Sequence, residues 1–285
     1  MLWDFLCIFA EQIHDTDTIM KKFLLMLLAF VLTTGIHAQR GDRRPPRGGR
    51  PERTLETVDK EKLAPFAAKK IDTADGVLHY REARIDATNG DKPALVIYMH
   101  GASGRGSDNT RQMRQLGIYS IYDFMQQHGI KGYFLVPQCP EANYWAGNRE
   151  GKPYTEPVKK LINLYMEKGN VDSTRVYIFG VSMGGGGTWK LLREMPGTFA
   201  GALIASGGYR DRDYKTISQT PVYITVGSKE GKDRSREFQQ LFEDIKQAGG
   251  EAKFDILEGL DHPETCVQSF TEERMGWVFG HTRNK

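Results

Sequence analysis

The sequence predicts an α/β domain with a mostly parallel central sheet and helices on both faces. From Asp72 onward, short apolar strand-like runs alternate with helix-like segments, which is the pattern of parallel sheets. The run at 94–99 (ALVIYM) is apolar at every position, as expected for a strand buried on both faces. Every candidate functional residue follows a predicted strand, at the sheet edge where such folds place their sites.

Strands are predicted where short apolar runs are bounded by glycine, proline or polar residues. Their ranges are 77–85, 94–99, 132–137, 176–179, 201–205, 221–226 and 252–257, with a polar turn at 86–91. Helices are predicted at 111–127, 157–167, 183–195, 235–247 and 264–279. In the helix at 157–167, Val158, Leu161, Ile162 and Tyr165 recur at helical spacing. Gly249-Gly250 ends the helix at 235–247.

The N-terminal region carries the features of an export signal. Met20-Lys21-Lys22 precedes the apolar run at 23–32, and Ile36-His37-Ala38 resembles a signal-peptidase site. These features predict a signal peptide over residues 20–38. Residues 1–19 then form an upstream extension, with Met20 as the candidate true start. The apolar run is too short for an ordinary membrane-spanning helix, so we expect no stable membrane insertion after cleavage.

Residues 39–71 are expected to form a basic linker and lead-in, because the segment begins with an Arg-, Gly- and Pro-rich stretch that has no apolar face. Residues 72–285 then form a single domain of a periplasmic or secreted protein. The formal net charge of +3 over 285 residues is close to neutral, so composition gives no sign of a nucleic-acid partner.

The central motif is Gly180-Val181-Ser182-Met183-Gly184, a G-x-S-x-G sequence placed between the strand at 176–179 and the helix at 183–195. On such a turn the serine hydroxyl projects above the sheet, and only small residues fit on either side. A glycine-rich turn with a serine N-cap is the alternative interpretation. The strand and helix on either side favour a nucleophilic Ser182.

A serine nucleophile needs a base and an acid, which follow it in chain order in this architecture. Two histidines follow Ser182; His281 is close to the C-terminus, whereas His262 lies in a predicted loop after the last strand. We therefore predict His262 as the base. Glu230 and Asp233 both follow the strand at 221–226; Glu230 is preferred, since Asp233 also suits a helix N-cap.

Two further groups are predicted around the serine. The backbone N–H groups of Met183 and Ala102 are the candidate oxyanion donors. Gly101, Gln138 and Trp145 follow two strand ends and are candidate substrate contacts, Trp145 as an aromatic wall.

Other chemistries find little support in the sequence. The segment at 227–233 is one residue short of a phosphate-binding loop and ends in Asp. No His/Cys cluster has metal-ligand spacing, so no metal and no cofactor are predicted. Of three cysteines, Cys139 and Cys266 lie in the predicted domain, where they either pair or stay buried and free.

Four segments of the sequence also resemble a known group of enzymes. The segments 98–109 (YMHGASGRGSDN), 136–145 (VPQCPEANYW), 180–189 (GVSMGGGGTW) and 259–264 (GLDHPE) are similar to α/β-hydrolase esterases of the "predicted peptidase" or poly(3-hydroxybutyrate)-depolymerase-like group, and to feruloyl and acetyl xylan esterases. The resemblance covers 77–279. It implies an α/β-hydrolase fold, with Ser182 as nucleophile, His262 as base, and Ala102 and Met183 as oxyanion donors. Glu230 stands where the group usually has Asp.

The sequence therefore predicts an exported serine carboxylesterase that acts through an acyl-enzyme. The resemblance implies an ester substrate, such as feruloyl or acetyl groups on plant polysaccharide. One alternative is a serine peptidase or amidase with the same triad. Another is a catalytically inactive hydrolase fold that serves as a binding protein.

Overall fold

A computed structural model of the chain describes residues 55–58, 60–85, 92–147, 151–168 and 171–283. The predicted signal peptide, the upstream extension, most of the linker and the turn at 86–91 lie outside these residues. Among the described residues, none of the helices has the length and apolar character needed to cross a bilayer.

The main element is an eight-stranded sheet in the order β1-β2-β4-β3-β7-β8-β9-β10. Its strands are β1 (Phe66–Thr73), β2 (Gly76–Ile85), β3 (Ala94–Met99), β4 (Gly132–Pro137), β7 (Val176–Val181), β8 (Gly201–Ala205), β9 (Val222–Gly227) and β10 (Ala252–Leu257). The pairs β1–β2 and β2–β4 are antiparallel, and the other neighbouring pairs are parallel. The predicted mostly parallel sheet is confirmed. The short strands β5 (Asn143–Tyr144) and β6 (Lys152–Pro153) pair separately.

The helices alternate with the strands along the chain, and the first helix precedes β1. They are α1 (Lys60–Leu63), α2 (Leu116–Gln127), α3 (Glu156–Lys168), α4 (Met183–Glu194), α5 (Tyr214–Ile217), α6 (Lys232–Gln247), α7 (His262–Gln268) and α8 (Glu272–Phe279). Short 3-10 turns lie at Ala102–Gly104, Arg111–Arg114 and Ser228–Glu230.

Both faces of the sheet are covered, as the fully apolar strands predict. Along β3, Leu95 and Ile97 pack into one hydrophobic cluster, whereas Val96 and Tyr98 pack into another. The first cluster includes residues of α3, α4 and α6, and the second includes residues of α2 and α8. Because alternate residues of a strand point to opposite faces, helices on both sides bury the strand completely.

Some elements differ from the sequence-based expectation. The edge strand β1 was not predicted, since only Phe66 among its residues is buried and no apolar alternation marks it. The helix expected at 111–127 is interrupted at Gln115, whose extended backbone separates a 3-10 turn from α2. Gln115 is held there because its side-chain Oε1 accepts hydrogen bonds from the hydroxyl of Tyr98 and the N–H of Gly101.

The closing helix is also two helices rather than one. Buried Phe270 separates α7 from α8 and contacts the rings of Tyr98 and Phe179 in the second hydrophobic cluster, on the sheet face covered by α2 and α8. Thr271 then begins α8 by accepting a hydrogen bond from the N–H of Arg274. The first of these two helices, α7, carries His262 at its first position.

Candidate active site

Ser182 occupies a sharp turn between β7 and α4. Its backbone has φ 53° and ψ −117°, a conformation that non-glycine residues rarely adopt. A Cβ at Gly180 would lie 2.2 Å from Oγ1 of Thr188, and one at Gly184 would lie 1.9 Å from the carbonyl oxygen of Met99. Both glycines of the motif are therefore required by close packing around the turn.

His262 lies within hydrogen-bond distance of the serine. Its Nε2 is 2.7 Å from Oγ of Ser182, and its Nδ1 is 2.6 Å from Oε2 of Glu230. The expectation that His262 lies in a loop is wrong, because it is the first residue of α7. Asp261 and Glu264 form a capping box at this helix start, which fixes the backbone that carries His262.

The structure brings Glu230, not Asp233, to the histidine. The Glu230 side chain is only 2% exposed, at the end of the 3-10 turn that follows β9. The Asp233 side chain is 99% exposed and pairs with Arg236. The N-cap expected for Asp233 is also wrong, because α6 begins at Lys232 and Asp233 lies in its first turn.

Glu230 receives four hydrogen bonds. Oε1 accepts from the hydroxyl of Ser206 (2.5 Å) and the N–H of Gly227 (3.0 Å). Oε2 accepts from His262 and from Nε of Arg234 (3.0 Å). Burial alone would raise the pKa of Glu230, but the hydrogen bonds from His262, Ser206 and Gly227 outweigh it and lower the pKa to about 2. The carboxylate is therefore ionised at neutral pH.

Sequence reasoning missed Ser206 and Arg234. Ser206 directly follows β8 and has φ 54°. In this backbone conformation its hydroxyl donates to the carboxylate of Glu230, which follows the neighbouring strand β9. Arg234 lies four residues after Glu230, and its guanidinium also donates to the carbonyl oxygen of Ser206 over 2.6 Å. Helical spacing gave no signal for the pair of Glu230 and Arg234, because Gly231, with φ 112°, separates the 3-10 turn from α6.

The predicted oxyanion donors begin two helical segments beside Ser182. Met183 is the first residue of α4, and Ala102 is the first residue of the 3-10 turn after β3. The first N–H groups of a helical segment have no acceptor within it, so both groups are free to donate to an oxyanion formed at Ser182. The dipole of α4 adds to this at Met183.

Two predicted substrate contacts are wrong. Trp145 is fully buried and donates from Nε1 to the carbonyl oxygen of His100 over 3.0 Å. Gln138 is 1% exposed; its Oε1 accepts from the N–H of Asn109, and its Nε2 donates to Asp108. Both side chains therefore hold the loop that follows β3 rather than a ligand.

His100, which directly follows β3, is a structural residue. Its Nε2 accepts from the N–H of Cys139 (3.0 Å), so Nδ1 donates to the carbonyl oxygen of Gly101 (2.7 Å). Complete burial lowers the pKa of His100 to about 4 and outweighs the hydrogen bond to that carbonyl, which raises it. It is therefore a neutral ring that shapes the turn.

Two cavities meet at Ser182. One, the apolar cavity, has a volume of about 310 Å³ and is lined by Ser182, His262, Gly101, Tyr98, Leu116, Val181, Cys266 and Val267 among others. The other, the polar cavity, has a volume of about 530 Å³ and is lined by Ser182, Met183, Tyr144, Lys190, Arg193, Tyr209, Arg234 and Glu237 among others. Of the three predicted substrate contacts, Gly101 alone lines a cavity that contains Ser182.

The cysteines of the domain do not pair. Cys139 and Cys266 are both free, and they belong to different hydrophobic clusters. Burial raises the pKa of each thiol to about 12. Across the described residues, no three His, Cys, Asp or Glu side chains come together as a metal site would require.

Comparison with known proteins identifies the fold of this chain. The model of the Dienelactone hydrolase family matches residues 145–273, a segment that makes up less than half of the chain. A thermostable esterase of known structure is 25% identical, with a TM-score of 0.69 over 78% of this chain. The chain is an α/β-hydrolase by fold. The resemblance to α/β-hydrolase esterases that the sequence predicted is confirmed.

Other α/β-hydrolase structures are more distant. A ferulic acid esterase is 14% identical with a TM-score of 0.58, covering 75% of this chain and 97% of its own. A Mycobacterium tuberculosis puromycin-hydrolyzing peptidase is 17% identical with a TM-score of 0.55, and the match covers 80% of this chain and 41% of the peptidase. The chain spans 64% of the length of the thermostable esterase. No curated protein matches the chain.

Proposed function

We propose that the protein is an exported serine hydrolase that cleaves carboxylic esters through Ser182, His262 and Glu230. The observation that carries the proposal is the continuous hydrogen-bonded chain from Ser182 Oγ through the imidazole to a buried, ionised carboxylate. A serine hydroxyl becomes a useful nucleophile when a base within this distance accepts its proton. The same intact chain argues against a catalytically inactive binding protein.

The reaction proceeds in two halves. His262 Nε2 takes the Ser182 proton while Oγ attacks the ester carbonyl, and the N–H groups of Met183 and Ala102 stabilise the oxyanion. Loss of one such donor typically costs about 3 kcal/mol in the transition state. His262 then protonates the leaving alcohol, and a water activated by the same imidazole hydrolyses the acyl-enzyme. Glu230 stays ionised and stabilises the imidazolium without accepting the proton.

The two cavities suit the two halves of an ester. The apolar walls of Tyr98, Leu116 and Val267 favour the acyl group, for which feruloyl and acetyl are the candidates. The polar cavity offers hydroxyl, carboxylate and guanidinium groups to a polyhydroxylated alcohol, such as a sugar of an acylated plant polysaccharide. Both volumes fall in the usual range for small-ligand sites.

A substrate panel tests this function. The enzyme and its Ser182→Ala variant are assayed with p-nitrophenyl acetate, methyl ferulate, acetylated xylan and a peptide nitroanilide. We expect turnover of the esters by the wild type and at least a thousandfold lower kcat in the variant. Peptide cleavage without ester turnover would replace the ester assignment by a peptidase or amidase. Equal turnover by the variant would remove Ser182 from the mechanism.

Export is tested separately. The proposal rests on the signal-peptide features of residues 20–38, with cleavage expected before Gln39. The protein is expressed from Met20 and the envelope and medium fractions are collected. N-terminal sequencing should give Gln39 as the first residue of the exported form. An unprocessed chain retained in the cytoplasm would contradict export.

A further inference from the structure

The segment that carries the proposed oxyanion donor Ala102 gains little from burial. Ala102 and Ser103 are both exposed, whereas Gly101 before them is buried. The carbonyl oxygen of Gly101 accepts hydrogen bonds from the N–H of Gly104 and from Nδ1 of His100. Because an oxyanion donor must keep one direction, a segment exposed in this way needs a restraint from a neighbouring element.

The side chain of Gln115 provides such a restraint. Its Oε1 accepts from the N–H of Gly101 over 3.1 Å, and its Nε2 donates to Oγ of Ser103 over 3.2 Å. Gln115 is itself buried, only 7% exposed, and directly precedes α2. One planar amide therefore binds the residues on both sides of Ala102, and these two bonds leave the N–H of Ala102 free for a substrate.

Tyr98 fixes the orientation of this amide. Its hydroxyl donates to the same Oε1 of Gln115 over 3.1 Å. Tyr98 is completely buried, and burial raises the pKa of the phenol well above its usual value, so the hydroxyl keeps its proton. Since the hydroxyl of Tyr98 and the N–H of Gly101 both donate, the amide oxygen must face them and the amide nitrogen must face Ser103.

The restrained segment lies directly beside the nucleophile. A Cβ on Gly101 would lie 3.3 Å from Nε2 of Gln115 and 3.6 Å from Cβ of Ser182. Gln115, Ala102 and Ser182 also line the same apolar cavity. A change in the hydrogen bonds of Gln115 would therefore act on backbone that is in contact with Ser182.

We propose that Gln115, oriented by Tyr98, is a positioning residue that keeps the N–H of Ala102 aimed at the oxyanion formed at Ser182. This inference rests on the proposed function, because it takes Ser182 as the nucleophile and Ala102 as a donor. A donor aimed in advance stabilises the transition state more than it stabilises the bound substrate. Loss of the restraint should therefore lower kcat and leave KM nearly unchanged.

Gln115→Met tests the role in kinetics, since methionine has a similar length but cannot make these hydrogen bonds. Turnover is measured on whichever substrate the wild type cleaves fastest, ester or amide. We expect kcat to fall about ten- to hundredfold and KM to stay within about twofold, because removal of a whole donor typically lowers kcat about a hundredfold or more. A wild-type kcat in Gln115→Met would overturn the positioning role.

The structure offers a matched control in the 3-10 turn before α2. Gln112 is fully buried, and its Nε2 donates to Oδ1 of Asn109 over 2.7 Å rather than to the segment around Ala102. Gln112→Met makes the same chemical change at a buried site, so its kcat should stay within about twofold of the wild type. Equal losses in Gln112→Met and Gln115→Met would show a general effect of the substitution and overturn the proposal.

A double-mutant cycle tests whether Gln115 acts through Ala102. Ala102→Pro removes the N–H at the first position of a 3-10 turn, and Gly101 before it has φ −71° and ψ 176°, an extended conformation that suits a residue before proline. We expect this variant to lose about a hundredfold in kcat, and Gln115→Met to add less than about twofold to that loss. Losses that multiply, or a wild-type kcat in Ala102→Pro, would overturn the inference.

A measurement without turnover separates this inference from the proposed function. Backbone ¹⁵N relaxation is recorded on Ser182→Ala protein, alone and combined with Gln115→Met or Gln112→Met. We expect the order parameter of the Ala102 N–H to fall from about 0.85 toward about 0.6 with Gln115→Met only. That fall supports the positioning role even if the protein cleaves no ester. An unchanged order parameter, in a protein that Ser182→Ala inactivates, would overturn the role and leave the proposed function standing.

Discussion

Arg234 and His262 bind the same carboxylate oxygen, Oε2 of Glu230, over 3.0 Å and 2.6 Å. The arginine also donates to the carbonyl oxygen of Ser206, whose hydroxyl binds the other carboxylate oxygen. A glutamate has one more rotatable bond than the aspartate usual in related enzymes, so it needs more restraint to hold one orientation. Arg234 and Ser206 provide that restraint, which makes them positioning residues for Glu230, the proposed acid.

Replacing Arg234 should therefore lower kcat while KM changes little. We expect Arg234→Gln to reduce kcat about ten- to hundredfold, since a charge-assisted hydrogen bond contributes about 1.5–3 kcal/mol. Arg234→Lys should recover part of the loss. Arg236→Gln is the control, because Arg236 is 77% exposed and pairs with Asp233 away from the histidine. Similar kcat values for both Gln variants would exclude the positioning role.

The acid assignment gives a second prediction. Glu230→Gln should lower kcat by at least a hundredfold, because the imidazolium loses its charged partner. Asp233→Asn should leave kcat within about twofold, as expected for a fully exposed surface pair. Steady-state kinetics on p-nitrophenyl acetate measure both variants. The opposite ranking would mean that the acid in solution is Asp233.

The low pKa of Glu230 predicts a pH-dependent contribution to stability. Burial opposes ionisation, but the hydrogen bonds prevail and the pKa falls from 4.5 to about 2. A depressed pKa in the folded state stabilises the fold above the unfolded value, and this contribution disappears as pH falls from about 4.5 toward 2. The Tm difference between wild type and Glu230→Gln should therefore shrink over that interval. A constant difference would contradict this charge state.

The apolar cavity gives a prediction about acyl size. Val267 lines this cavity with Ser182 and His262, so Val267→Phe should fill part of its 310 Å³. We expect the ratio of kcat/KM for methyl ferulate to that for p-nitrophenyl acetate to fall about tenfold, since overpacking typically costs 1–3 kcal/mol. Val267→Ala should keep or raise that ratio. An unchanged ratio in Val267→Phe would place the acyl group elsewhere.

The free cysteines give a redox prediction. Burial raises the pKa of Cys139 and Cys266 to about 12, so both thiols stay protonated at neutral pH. Cys139 is fully buried, whereas Cys266 is partly exposed and lines the apolar cavity. Iodoacetamide should therefore leave Cys139 of the native protein unmodified by mass spectrometry, should react only slowly with Cys266, and should label both residues after unfolding in urea. A mass two units lower than the sequence requires, restored by reduction, would show an intramolecular disulfide.

The sequence allowed prediction of those features that depend on local pattern. Strands such as β3 were predictable because every side chain is apolar, and Ser182 because its neighbours at 180 and 184 must be glycine. Helix ends were less accurate where a tertiary contact decides them. Buried Phe270 divides the last predicted helix, and Gln115 separates a 3-10 turn from α2, because each side chain contacts Tyr98 on the distant strand β3.

Substrate contacts were the least predictable part of the site. Trp145 and Gln138 follow strand ends as ligand-binding residues often do, yet both point into the protein. Sequence position gives the sheet edge at which a residue lies but not the direction of its side chain. Ser206 was missed for the same reason, since its role depends on a positive φ that a single sequence does not reveal.

Among the described residues, Ser182 alone is shared by the linings of the apolar and polar cavities. Two substitutions far from Ser182, one in each cavity, therefore share no other lining residue, and their free-energy effects should add. Selectivity for the acyl half and for the alcohol half of the proposed ester substrate can then be altered independently. Substitutions on each side would combine into a set of variants in which the two halves are chosen separately.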